Sequence, residues 1–191
     1  MRSIITVSAV LLTASATVAP GQQSTLLVPG RLITVMTRNV YHGVDAEVLA
    51  VPQATSQTDL LNKVAAVYNG YFERNFPERA ASLAKEVYLT RPDLIGVQEA
   101  ILVRAELPAD GAATPAMTVK LDYVQLLLNA LAARGLAYKV VTQSVGFDIE
   151  LPSALGFDVR HTDREVILAG GSQTCGSCIV EPARRKFHCE L

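Results

Sequence analysis

Glu99 closes the run Leu94-Ile95-Gly96-Val97-Gln98-Glu99, a short apolar stretch ending in an amide and a carboxylate. Such a run reads as a buried strand. A carboxylate at the end of a buried strand is costly unless it is paired, hydrogen-bonded or bound to a metal. Strand C-termini are also where open α/β sheets collect ligand-binding groups. Taken alone, Glu99 reads as a solvated strand end, so its neighbours must decide. A second apolar run, from Leu32, closes on Asn39 and is followed by His42 and Asp45. A third, Phe157 to Ala169, carries His161, Asp163 and Arg164. His42 reads as a loop-surface residue, His161 as a turn residue, and Asp45 as a turn or helix-cap acid. The cysteines gather at the C-terminus as Cys175-x-x-Cys178 and His188-Cys189. They can be read as a four-ligand zinc site or as a Cys175–Cys178 disulfide that leaves Cys189 over.

The elements that would position these groups alternate between helix and strand. Leu60, Leu61, Val64, Val67, Tyr68, Tyr71 and Phe72 recur at helical spacing, with Asp59 in the first turn. A second helix starts at Pro77, a favoured first helical position, and ends before Pro92. Its apolar face is Ala80, Leu83, Ala84, Val87 and Tyr88, and the aromatic residues of both helices read as core. Ile101 to Ala116 reads as a loop. A third helix is predicted from Met117 through Leu121, Val124, Leu127, Leu128 and Leu131, with Gly135 as its stop. Tyr138 to Val145 reads as a strand, Gly146 to Gly156 as a loop, and Phe157 to Ala169 as one or two strands joined near His161-Thr162. This order is that of helices covering a sheet.

A chain of 191 residues, half of them hydrophobic, suits one domain with a sizeable core. Its formal net charge of −1 gives no global pull toward nucleic acid, whose binders carry a clear basic surface. Met1-Arg2, the apolar run Ile4 to Leu12 and the small residues to Ala19 form the pattern of a secretory signal peptide. Cleavage is expected after Ala16, Ala19 or Gly21. The chain is therefore expected to be exported, with residues 1–21 as signal, 22–169 as the domain and 170–191 as an atypical tail. No later segment approaches the length needed to span a bilayer.

Three stretches, in this order and spacing, resemble the endonuclease/exonuclease/phosphatase superfamily, the deoxyribonuclease-I-like metal-dependent phosphoesterases. They are the opening strand ending in Asn39, Pro92-Asp93-Leu94-Ile95-Gly96-Val97-Gln98-Glu99, and Thr162-Asp163-Arg164-Glu165-Val166-Ile167-Leu168. The resemblance runs from about Leu32 to Ala169. It implies an α/β (α+β) fold, the N-terminal part of a four-layer α-β-β-α sandwich. It also implies hydrolysis of a phosphoester with Mg²⁺, with Glu99 binding the metal and Asn39 positioning metal or phosphate. A cation of this kind neutralises phosphoryl oxygens and stabilises the leaving group, and the attacking water needs a base. Asp163 and Arg164 belong to the resemblance as an ion pair that positions the last strand, with no catalytic role.

The family's later Gly-Asp-x-Asn and Ser-Asp-His segments do not occur in this sequence. No residue is therefore assigned as the base, and the tail reads as unrelated sequence of the kind that a frameshift or premature stop produces. Two readings stand: a secreted phosphoester hydrolase, incomplete as written, or an inactive remnant or non-enzymatic secreted binding module on the same fold. Charge and export favour a lipid-type or small phosphodiester over nucleic acid. A sheet without its second layer is expected to self-associate through exposed apolar surface.

Overall fold

The computed structural model describes residues 32–170, 178–180 and 187–189. The expected signal segment and its expected cleavage positions, Cys175 and most of the tail lie outside the described residues. The described chain is a mixed α/β fold with a six-stranded sheet and four α-helices.

The sheet is built around one long strand. The elements in order are β1 (Val35–Asn39), α1 (Asp45–Ala50), α2 (Gln57–Glu73), α3 (Phe76–Thr90), β2 (Leu94–Gln98), β3 (Leu102–Glu106), β4 (Thr118–Asp122), α4 (Tyr123–Ala132), β5 (Tyr138–Pro152) and β6 (Asp158–Gly170). β5 and β6 form an antiparallel hairpin. The other edge of β6 is shared: its C-terminal half pairs with β2 and its N-terminal half with β3. β2 and β3 are thus one line of chain interrupted at Glu99, Ala100 and Ile101. β1 runs parallel to β2 on the outside, and β4 runs antiparallel to β3.

Local sequence explains most of the helix ends. The Ser56 hydroxyl accepts from Asp59 N–H at 3.1 Å, and the Asp59 carboxylate accepts from Thr55 N–H at 2.9 Å, a reciprocal cap for α2. α3 has Pro77 in its first turn and ends at Arg91, whose φ is +46°. The core joins these helices to the sheet: Val64, Val67 and Tyr71 of α2, Ala80, Ala84 and Val87 of α3, Leu127 and Leu131 of α4, with Ile95, Val97, Val166 and Leu168 of the strands.

Three expectations need correction. The third helix begins at Tyr123, not Met117. Met117 and Leu121 fit a helical face, yet Thr118–Asp122 pairs with β3, and the Asp122 carboxylate caps the helix by accepting from Val124 and Gln125 N–H. The stretch from Ile101 is not all loop, because Val103 and Ala105 are buried at the period of two that marks a strand. The loop expected at Gly146 is the middle of β5, where a register shift between Val145 and Phe147 absorbs the glycine as a bulge. Val145 and Phe147 remain exposed there. In the tail, β7 (Cys178–Val180) and β8 (Phe187–Cys189) pair antiparallel, with Cys178 opposite Cys189 and Ile179 opposite His188.

Candidate functional site

The break between β2 and β3 makes the site. Glu99 has φ +57°, in the left-handed region that non-glycine residues avoid. Such backbone costs about 1–3 kcal/mol and persists only where the surroundings over-determine it. Here the side chain is held from two sides. Asn39 Nδ2 donates to Glu99 Oε1 at 2.6 Å, and His42 N–H donates to Glu99 Oε2 at 2.9 Å. Parallel pairing explains the meeting: Asn39 and Gln98 are register partners, and Val40 N–H continues the ladder to Gln98 C=O. Burial works against the Glu99 charge, but the Asn39 and His42 hydrogen bonds and the His42 imidazole keep its carboxyl below the ordinary value.

The loop after β1 folds over Glu99. Asn39 Oδ1 accepts from Tyr41 N–H at 2.7 Å, so this amide bridges its own loop to Glu99. His42 Nε2 lies 2.8 Å from Asp45 Oδ1 and 3.9 Å from Glu99 Oε2, while its Nδ1 accepts from Val44 N–H at 3.3 Å. The ring proton therefore sits on Nε2, facing two carboxylates. The Tyr123 hydroxyl fixes the loop from α4 by donating to His42 C=O at 3.1 Å.

β6 brings the remaining groups. His161 and Asp163 share one face of the strand because they are two residues apart. The His161 ring meets the His42 ring edge-on, with centroids 6.3 Å apart, and its Nδ1 is hydrogen-bonded to the Tyr71 hydroxyl. Burial, with the nearby His42 imidazole, pushes the His161 pKa down to about 4, so its imidazole is neutral at pH 7. Asp163 is the anomaly. Its Oδ1 is buried without a hydrogen-bond partner. Burial and the negative charge of Glu99 raise its carboxyl above the ordinary range. Carboxyl groups with raised pKa values and an unpaired oxygen concentrate at functional sites.

The residues singled out from sequence thus largely converge: Asn39, His42, Asp45, Glu99, His161 and Asp163. Two expectations are corrected. His161 lies within a continuous strand, not a turn. Arg164 does not pair with Asp163, because adjacent strand residues point to opposite faces. It binds Asp122 Oδ1 at 2.5 Å and the Ala100 and Ile101 carbonyls. Tyr71 was read only as core. An unbroken strand through His161 would have put His161 and Asp163 on one face, and that parity was the available signal.

The oxygens of Glu99 and Asp163 are of the donor type that hard divalent cations take. Each Glu99 oxygen has one hydrogen-bond donor and retains a lone pair. Asp163 offers an unsatisfied carboxylate oxygen beside it. Mg²⁺ is held by one or two carboxylates, with water and substrate phosphate completing its shell. Among the described residues, no three His, Cys, Asp or Glu side chains form a ready metal cage.

No family model and no solved structure matches the chain. A stretch of 75 residues is 39% identical to the S-adenosylmethionine:tRNA ribosyltransferase-isomerase of Acidiphilium cryptum (strain JF-5). The match covers 39% of this chain and 22% of that protein, so the chain spans about a fifth of its relative. Among the described residues, no helix is long and apolar enough to cross a membrane.

Proposed function

We propose that the chain is a metal-dependent phosphoester hydrolase of the endonuclease/exonuclease/phosphatase type, and that its sheet is the first sheet of that four-layer sandwich. One observation carries the reading: residues 60 apart in sequence, Asn39 and Glu99, meet at 2.6 Å at the ends of parallel strands, near half-buried Asp163, whose Oδ1 has no hydrogen-bond partner. Glu99 would hold Mg²⁺, which supplies charge neutralisation at the phosphoryl oxygens. Asn39 orients Glu99 through Nδ2. His42 presents its Nε2 proton to the carboxylates and fixes the loop. Asp163 is the candidate base, because its raised pKa and free oxygen suit it to take a proton from water. Water oxygen bonds to phosphorus, the phosphorus–ester oxygen bond breaks, the water proton passes to Asp163, and the leaving oxygen is protonated from solvent.

The test is hydrolysis of bis(p-nitrophenyl) phosphate by the purified chain with Mg²⁺, beside Glu99→Ala. The expected result is turnover abolished by chelator and reduced at least about a hundredfold in the variant, since the cation contributes several kcal/mol to the transition state. Equal rates for both proteins, or no turnover by a folded wild type, would sink the reading. The alternative is a non-enzymatic binding module on the same fold, which such equal rates would favour. The partial likeness to a tRNA-modifying enzyme covers too little of it to carry that activity here.

A further inference from the structure

The candidate site continues past Asn39 into a groove of about 570 Å³, lined by Asn39 and Tyr41 together with Phe76, Arg79 and Lys85 of α3. Tyr41 is held in place at the mouth. Its φ is +54°, an uncommon conformation for a bulky residue, and its ring is half-exposed. Asn39 Oδ1 accepts its N–H at 2.7 Å, and its carbonyl accepts from Arg79 Nη1 at 3.0 Å and Nη2 at 2.8 Å. The ring lies against that of His42, with centroids 5.9 Å apart and planes inclined at 30°. Arg79 spends its terminal nitrogens on that carbonyl, and its Nε is buried without a partner. Arg38 is neutralised by Glu86. Among the described residues, neither Arg79 nor Lys85 is in an ion pair, so the groove is positive although the chain is not.

We propose that this groove binds the aromatic, nucleotide-like part of a small phosphodiester, with its ring stacked on Tyr41 and its phosphate drawn by Arg79 and Lys85. The proposal rests on the phosphoester reading of the adjoining site. Aromatic platforms beside cations are how nucleobases are held without hydrogen-bond readout. An alkyl chain would instead seek the apolar cavity of about 370 Å³ walled by Leu60, Val64, Phe147, Ile149, Val159 and His161. The two substrate chemistries therefore fit different cavities, one lined by Asn39 and Tyr41 and the other by His161.

The test is calorimetric titration of adenosine 5′-monophosphate, ribose 5-phosphate and octyl phosphate, with Mg²⁺, into wild type, Tyr41→Phe, Tyr41→Ala and Lys85→Ala. Circular dichroism melts confirm that each variant is folded. The nucleotide should bind roughly fivefold to a hundredfold tighter than ribose 5-phosphate, the range of one base stacked on an aromatic ring. Tyr41→Phe keeps this advantage and Tyr41→Ala loses it. Lys85→Ala weakens both ligands and lowers the salt slope by about one. An advantage that survives Tyr41→Ala, octyl phosphate binding as tightly as the nucleotide, or no binding by a folded chain overturns the proposal. A Tyr41-dependent preference without hydrolysis keeps the groove and sinks the hydrolase reading. Hydrolysis without the preference does the reverse.

Discussion

Two polar clusters stand on opposite faces of β6, and they are built on opposite terms. On one face, Arg160 binds Asp148 through Nε at 3.0 Å and Nη2 at 2.5 Å, Thr162 donates to Asp148 at 2.8 Å, and Arg104 donates to Thr162 at 2.5 Å. Arg164 extends that face to Asp122 and to the strand break. Nearly every group there has a partner, Arg104 Nε being the exception. On the other face, His161 is largely buried and neutral at pH 7, and Asp163 Oδ1 has no hydrogen-bond partner among the described residues. A satisfied network specifies structure, whereas a buried group left unsatisfied costs stability and must be retained for another reason. Under the proposed hydrolase reading the contrast gives folding to one face and chemistry to the other, and it can be broken.

The largest effect belongs to Arg164. Its guanidinium ties the Asp122 cap of α4 to the Ala100 and Ile101 carbonyls, the two residues after Glu99. Arg164→Ala removes the cation beside Asp122, which keeps its Val124 and Gln125 N–H donors, and takes the guanidinium from the Ala100 carbonyl, while the Ile101 carbonyl keeps Tyr123 N–H. Removing one partner from a fully buried pair costs about 3–5 kcal/mol; Asp122 is partly exposed and keeps its cap donors, so the cost here is about 2–3 kcal/mol and the urea midpoint should fall by roughly 1 M. A midpoint within experimental error of wild type would show that this face does not carry the fold.

Asp148 tests the same face through pH. The Arg160 hydrogen bonds, helped by Thr162 and opposed by burial, hold its carboxyl below the ordinary value. The unfolded chain therefore takes up this proton first as pH falls. The stabilisation is present above the ordinary carboxylate range and is lost as pH falls through the lowered folded value. Because the pair is partly solvated, its worth is discounted to about 1 kcal/mol. Asp148→Asn should lower stability at pH 7 by that amount and flatten the acid limb of stability against pH. An unchanged acid limb would mean the network is decorative.

This asymmetry also sets what could be read before folding. The site was legible where strand ends carry unusual residues: Asn39 and Glu99 follow apolar runs, and parallel pairing of those runs brings them together. The continuation past Glu99 was missed although Val103 and Ala105 alternate with Arg104 and Glu106, because the run is only five residues long and leads into an Ala-, Pro- and Gly-rich stretch. The helix placed at Met117 failed for a related reason. Met117, Leu121 and Val124 satisfy helical spacing, but pairing with β3 overrode it and Asp122 served as the cap. His161 and Asp163 were obscured by dividing β6 at His161-Thr162. Arg164 was matched to its sequence neighbour, although strand geometry sends neighbours to opposite faces.

Asp163→Asn is the smallest change and separates the two faces most sharply. The amide keeps the shape of the side chain and removes the charge that burial and Glu99 both oppose. If the opposite face alone carries the fold, the variant loses nothing there and is relieved of a repulsion. With the partial solvation of the carboxylate taken into account, the gain should be roughly 0.5 kcal/mol, a rise in Tm of about 1–2 °C. Hydrolysis should fall about a hundredfold or more, the usual contribution of a positioned base. A lower Tm together with lower activity would make Asp163 a structural residue after all. A higher Tm with full activity would remove it from the chemistry and return the search for a base to His42 and His161. Only a rise in one quantity with a fall in the other preserves the division of β6 into a face that folds and a face that reacts.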